Sequence, residues 1–343
     1  SCGIILPAAS QVTSDNTTNT IVNLNNNNFT ILNGIQKGNN LFHSFKEFSI
    51  PTGGSATFNN STDVLNIINR VTGGNISNID GLIKANGSAN LFLINPAGIV
   101  FGENARLDIG GSFLGTTAES ILFEDGFNYS ATVLEQTPLL TISAPLGLQM
   151  GTNPSSIQVN NLGHKLSIQA RQPLERGNIP AELSVNAGNT LALLGCILSM
   201  TGGIIRDEDG RVELGAVTSP DVVYFNSNEL GWKLDYSDVL KFCDVRFRQQ
   251  TLVETSDIGA IKLHGQNISF QDGSIFLIEN RSNQPAIGID IKSTGTVEFV
   301  GTTSDKSLRS GLISDALNSG RGGDISISAT KIVGRDNGGD LRA

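Results

Sequence analysis

Few of the usual carriers of chemical function are present in this sequence. Charged side chains make up only 16% of its 343 residues, against roughly 25% in an average globular domain. There is one tryptophan, and cysteine occurs three times, at positions 2, 196 and 243. No apolar stretch approaches the roughly 20 residues of a membrane-crossing helix, so the mature chain is expected to be soluble, without membrane insertion. Cys-x-x-Cys, His-Glu-x-x-His, Gly-x-Ser-x-Gly and the phosphate-binding glycine loop are all missing. Zinc, serine-hydrolase and nucleotide chemistry therefore have no signature here, and no metal or cofactor is expected. The net charge of −9 and pI near 4.9 argue against nucleic acid and anionic membrane surfaces, which need Lys/Arg patches.

Glycine (39 residues) and asparagine are over-used instead. Both adopt turn and left-handed geometries at low cost, which favours many corners over long helices. Residues 90–111 show the pattern best. Three short apolar runs, 91–94, 99–101 and 107–109, are separated by two tight polar turns. In the first turn Asn95 suits position i of a type I turn, Pro96 fixes φ at i+1, and Gly98 suits i+3. A residue before proline is pushed to extended geometry, so Asn95 ends its strand. Strands this short, joined by corners, wind into a coil.

The same grammar recurs. Strand-like segments beginning at Leu183, Ile261, Ile289 and Ile325 each read apolar–x–apolar, corner, apolar–x–apolar, Gly. One such unit cannot bury its apolar side alone, and stacking units buries a continuous core. An antiparallel sandwich would alternate too, but with longer strands and hairpin signals. The reading is all-β: a parallel β-helix with an N-terminal cap and extra-helical excursions, one continuous structural domain. Residues 11–150 hold the cap and first coils, and residues 151–343 continue the coil. The Asn/Thr-rich start, with half-buried islands at 20–24 and 29–32 and a loop tip at 25–28, is expected to cover the open core end. Phe42, Phe45 and Phe48 do not share one parity, so a bend or bulge is expected there. Residues 63–70 fit a helical turn or a strand.

Two segments break the pattern. Residues 206–211 read as a charged, solvated loop. Residues 220–242, with Trp232, Tyr224, Tyr236 and a helical-turn pattern at 237–242, read as an excursion packed on the coil. Residues 1–10 look like the end of a secretory signal, with Ala8 and Ser10 obeying the small-residue rule and Gln11 a mature start. Cys2 after Ser1 also suits lipid attachment. Cys196 and Cys243 each sit in an apolar setting, which favours buried free thiols over a bridge. The chain stops in mid-pattern, so further coils are expected beyond it.

β-Helices also carry polysaccharide lyases and glycosidases, which need clustered carboxylates with a basic partner or Ca²⁺. Here the acids are scattered. Asp207, Glu208 and Asp209 lack EF-hand spacing, and His43, His164 and His264 have no nucleophile to serve. The chain is read as not an enzyme, with a carbohydrate-active β-helix enzyme or a structural filament as rivals.

At Asn95-Pro-Ala-Gly-Ile, set between Leu91-Phe-Leu-Ile and Ile-Val-Phe-Gly, the chain resembles the filamentous-haemagglutinin-type secretion domain of two-partner secretion exoproteins. Gly115-Thr-Thr-Ala and Gly231-Trp, with Tyr236, Phe242 and Asp244, resemble the phrasing of its cyanobacterial branch. The likeness is most specific over residues 60–123. The resemblance implies a right-handed, single-stranded parallel β-helix. It also implies a Gram-negative-type cell, passage through the periplasm, and recognition by an outer-membrane β-barrel transporter with POTRA domains. The product would be secreted or surface-bound, with adhesin activity toward host or neighbouring cells through regions beyond this chain. By position, Asn95, Pro96, Gly98 and Ile99 are the residues that would carry transporter recognition. The family motif is usually Asn-Pro-Asn-Gly. Ala97 here keeps the turn but loses any side-chain bond from that position.

Overall fold

The computed structural model describes residues 11–134, 140–168, 174–178, 181–228 and 231–343. The leader-like residues 1–10 lie outside the described residues. Every regular element among those described is a β-strand, as the Gly/Asn-rich, corner-dense composition requires. Residues 63–70, open to two readings, resolve to the strand Asn66–Val71.

Successive turns of the chain lay one strand on each of three faces, which makes the fold a parallel β-helix. The first face is an eleven-stranded sheet whose strands pair in parallel from Asn40–Phe48 to Asp324–Ser328. The second face has eight parallel strands, from Ser77–Ile79 to Lys331–Arg335. The third is split into two five-stranded sheets, one running to Arg106–Asp108 and the other starting at Ile204–Asp207. Equivalent positions stack from coil to coil. Leu41, Ile67, Leu91, Phe113, Leu191 and Val212 form one inward column of the first face. On the second face Phe247, Phe270 and Phe299 stack ring on ring, with centroids 4.9 and 5.0 Å apart. Full burial of each such side chain is worth about 1.5–3 kcal/mol.

The next positions along the same first-face strands point outward, and their chemistry changes along the coil. Phe42, Ile68, Phe92, Leu114 and Ala192 are apolar, and their equivalents one coil after another are then Glu213, Lys262 and Asp290. The apolar part is covered by a separate five-stranded antiparallel sheet made of Asn128–Ser130, Ser120–Phe123, Pro145–Gln149, Val222–Asn228 and Gly231–Asp235. A second core forms between the two layers, with Phe92 against Trp232 at 4.7 Å. Strands buried on both faces read as unbroken apolar runs, which is why residues 91–94 are apolar throughout while residues 260–265 alternate.

Several expectations need correction here. Residues 121–123, counted within the first coils at 11–150, belong to this outer sheet and not to the coil. The excursion at 220–242 is present, pinched at its base by the Val217–Phe242 bridge, but residues 237–242 form no helix; the segment is strand, then turns. The charged stretch 206–211 is not a solvated loop: it ends one strand and starts the next, with Asp207 and Arg211 buried. Cys196 and Cys243 are not free thiols but a disulfide, with Cα atoms 5.4 Å apart. Leu198 pairs with Val245 on the second face, so the residues two positions earlier, 196 and 243, are stacked neighbours. The excursion between them hides that register in the sequence.

The cap is as expected. Thr20–Asn25 and Asn28–Asn33 form a hairpin with Asn26 at φ 53°, and its second strand starts the third face beside Ser55–Phe58. Phe42 and Phe45, three residues apart, face the outer and inner cores by plain alternation, and the expected irregularity is a register shift opposite Thr13/Ser14 that brings Phe48 to the inner core with Phe45. An asparagine ladder adds polar continuity. Asn66 Nδ2 donates to Asn40 Oδ1 and Asn90 Nδ2 to Asn66 Oδ1, both at 3.0 Å.

Candidate functional site

The corner at residues 95–99 joins the first-face strand Asn90–Ile94 to the second-face strand Ile99–Phe101. The Gly98 N–H donates to the Asn95 carbonyl at 3.0 Å, closing the expected four-residue turn. Its central residues, Pro96 and Ala97, keep negative φ, while Gly98 sits at φ 123°, a conformation that side-chain-bearing residues rarely adopt. The Asn95 side chain does most of the tethering. Its Oδ1 accepts from the Ala97 N–H at 2.9 Å, and its Nδ2 donates to the Asn75 carbonyl and to Ser77 Oγ, both at 2.9 Å. Asn95 therefore fastens its own turn to the preceding coil. Ala97 enters through its backbone N–H.

Asn95 and Ile99 are fully buried, Gly98 is buried, and only Pro96 and Ala97 are half-exposed. The four residues singled out from the sequence thus come together, but as a closed structural corner. Asn75 and Ser77, which hold Asn95, carry no motif of their own; only the coil register identifies them.

Two side chains elsewhere join separate layers. Arg70 is almost fully buried: its Nε donates to Ser44 Oγ at 2.8 Å, its Nη1 to the Ser130 carbonyl at 2.5 Å, and its Nη2 to Thr17 Oγ1 at 3.1 Å. The guanidinium also lies 4.4 Å from the centre of the Tyr129 ring. Arg176 bridges Glu254 and Glu279, clamping the Leu166–Ser167/Glu175–Arg176 hairpin on the third face.

The three histidines are far apart in role. His43 is an inward core residue whose Nδ1 meets Thr20 Oγ1 at 2.9 Å, and burial pushes its imidazole down to about 3. His164 is buried, with Nε2 against the Gly273 carbonyl at 2.8 Å and Nδ1 accepting from the Leu166 N–H. His264 stacks on Tyr236. Among the described residues, no group of three or more His, Cys, Asp or Glu side chains is placed to hold a metal ion.

Asp207 is the acid most displaced from its ordinary state. Burial pushes it up to about 9; the Arg211 backbone N–H works the other way, but neither carboxyl oxygen has a hydrogen bond of good geometry. A carboxyl raised in the folded state favours folding at low pH; that contribution fades as pH rises through the unfolded value near 4 and is gone by the folded value near 9. Asp207→Asn, which mimics the protonated acid, should therefore raise the melting temperature, and the gain over wild type should grow between pH 5 and pH 9. Thermal melts of both proteins across that range check this; a pH-independent difference would contradict it.

No curated protein matches the chain significantly. Among solved structures it is similar to the HMW1 secretion domain from Haemophilus influenzae, at 15% identity and a TM-score of 0.49, over 96% of this chain and 74% of that one. Residues 10–269 match the family described as the TPS secretion domain. That span takes in the cap, the corner at Asn95, the outer sheet and the disulfide, and it makes the chain a member of the TPS secretion domain family, the secretion domain of an exported protein of the two-partner secretion type.

Proposed function

We propose that this domain is the export address and folding start of an adhesin-like exoprotein. It would cross the periplasm of a Gram-negative-type cell and be handed to an outer-membrane β-barrel transporter through that transporter's POTRA domains. The observation that carries this reading is the burial of the motif. Asn95, Gly98 and Ile99 are closed off in the folded coil, so a transporter that reads them meets the chain before the coil has closed. An extended strand can pair with an exposed sheet edge through main-chain bonds, and the same segment later pairs in parallel with the coils on either side. Outside the cell, each completed coil offers three strand edges to the next, so folding runs from the N-terminus and draws the chain outward.

Export of Pro96→Ala, Gly98→Val and Asn95→Ala variants tests this, with the stability of each purified chain measured alongside. Gly98→Val forces a branched residue to φ 123° and should cost about 1–3 kcal/mol. Asn95→Ala leaves Ser77 Oγ and the Asn75 carbonyl without their donor, again about 1–3 kcal/mol. All three should lower secretion, Pro96→Ala with the least loss of stability. Normal secretion of both the Pro96 and Gly98 variants would reduce the corner to a structural element and sink the proposal.

A further inference from the structure

A pocket of about 320 Å³ opens where the outer sheet ends, between the hairpin of Val222–Asn228 and Gly231–Asp235 and the bare first-face strands Ala260–Gly265 and Gly288–Ser293. Three lysines line it: Lys233 from the hairpin, Lys262 and Lys292 from adjacent coils. Such a convergence stands out in a chain of net charge −9 with only 23 basic residues. Lys262 is largely buried, faces Asp290 at 3.9 Å and stacks in the ladder on the buried Glu213, while Lys233, which feels Asp235 at longer range, and Lys292 form no ion pair among the described residues. His264 also lines the pocket, in register with Lys292 on the neighbouring coil and stacked on Tyr236 at 4.2 Å and 17°. Burial, reinforced by Lys292 and Lys262, pushes it down to about 4, so at neutral pH it offers a neutral N–H and no charge. The one lining carboxylate, Asp235, is occupied by the Ser237 N–H at 2.9 Å and by Asn226.

We infer that this pocket binds a tetrahedral oxyanion ester, a sulfated or phosphorylated sugar. Lys233 and Lys292 supply two ammonium groups outside any ion pair, with Lys262 behind them already facing Asp290; separate point charges of this kind suit an anion with several outward oxygens. A carboxylate is better held by the planar fork of an arginine, and none lines this pocket. The volume exceeds that of a bare ion, and the Asn226 amide and Ser237 hydroxyl at the hairpin side supply donors and acceptors for sugar hydroxyls. The site is independent of the export reading, since none of its residues belongs to the corner at 95–99.

Isothermal titration of the full chain with glucose 6-phosphate and glucose 6-sulfate at low ionic strength tests it. Glucuronate, glucose and inorganic phosphate serve as comparison ligands. Saturable binding of one or both esters is expected, weakened at least tenfold in the double variant Lys233→Gln/Lys292→Gln. The charge-matched control Lys46→Gln/Lys331→Gln, with both lysines exposed and outside the pocket, should bind as wild type does. Which ester binds more tightly separates sulfate from phosphate. Absence of saturable binding by either ester, or equal weakening in the control, overturns the site. Glucuronate binding as tightly as the esters overturns the oxyanion assignment, and inorganic phosphate matching them overturns the sugar.

Discussion

Opening the Cys196–Cys243 bridge, by reduction or by Cys243→Ser, is expected to lower the unfolding free energy by about 4 kcal/mol. The bridge spans a sequence separation of 47 residues, and tying a loop of that length removes about this much free energy of conformational freedom from the unfolded chain. The effect has a place as well as a size. The bond sits at the foot of the excursion, where Val217 pairs with Phe242 and the Cys243 N–H donates to the Ala216 carbonyl at 2.8 Å. The Gly231–Asp235 strand should therefore lose protection first. Urea unfolding with and without reductant, together with amide exchange resolved over 217–242, reads both quantities. Coincident curves would mean that the coil alone holds this segment. The bond also constrains any extended-chain route. A chain bridged before export would have to pass as a loop, so a Cys196→Ser/Cys243→Ser variant should be exported at least as fast as wild type.

The second large effect is expected at Arg70. Arg70→Ala should cost about 3–5 kcal/mol, the range for breaking a buried charged network by removing one member. Three hydrogen bonds and the Tyr129 face are lost together. The partners lie in three different layers: Thr17 in the cap, Ser44 in the first coil, and Tyr129 and Ser130 in the outer sheet. Asp15 shares the site, bonded to Ser44 Oγ at 2.5 Å and Thr72 Oγ1 at 2.7 Å. These bonds hold its carboxyl below the usual range although burial works against them. Arg70→Lys should recover less than half of the loss, because one ammonium cannot reach donors' targets in three directions. Urea denaturation gives the magnitude, and hydrogen exchange at residues 11–34 shows whether the cap detaches before the coil. A loss below about 1 kcal/mol would indicate a solvated arginine, as for exposed pairs.

Much of this architecture is legible in the sequence because a β-helix repeats its physics. The turn at Asn95 follows from Asn, Pro and Gly at fixed spacing, and the strands at Ile261, Ile289 and Ile325 follow from period-two alternation. Even the outer sheet leaves a trace: unbroken apolar runs at 67–68 and 91–94 call for cover on both sides. What stays hidden depends on register across inserted segments. Cys196 and Cys243 are neighbours only once Leu198 is known to face Val245. Asp207 looks solvated beside Glu208 and Asp209, yet strand pairing with Leu252–Ser256 takes it inside. Within the corner, Asn95 is legible as a turn residue, whereas its bonds to Asn75 and Ser77 depend on which coil lies beneath it.

The ladder across the first inserted sheet has a further consequence. Phe113–Thr116 pairs residue for residue with Leu191–Leu194, although the intervening chain builds most of an outer sheet and a second hairpin. A corner of this coil is thus a splice point: material enters and leaves there without shifting the next rung. Length in the coil and content at its corners can vary independently, so peptides or whole small domains grafted at the Thr116 or Ala216 corners would ride on an unchanged spine.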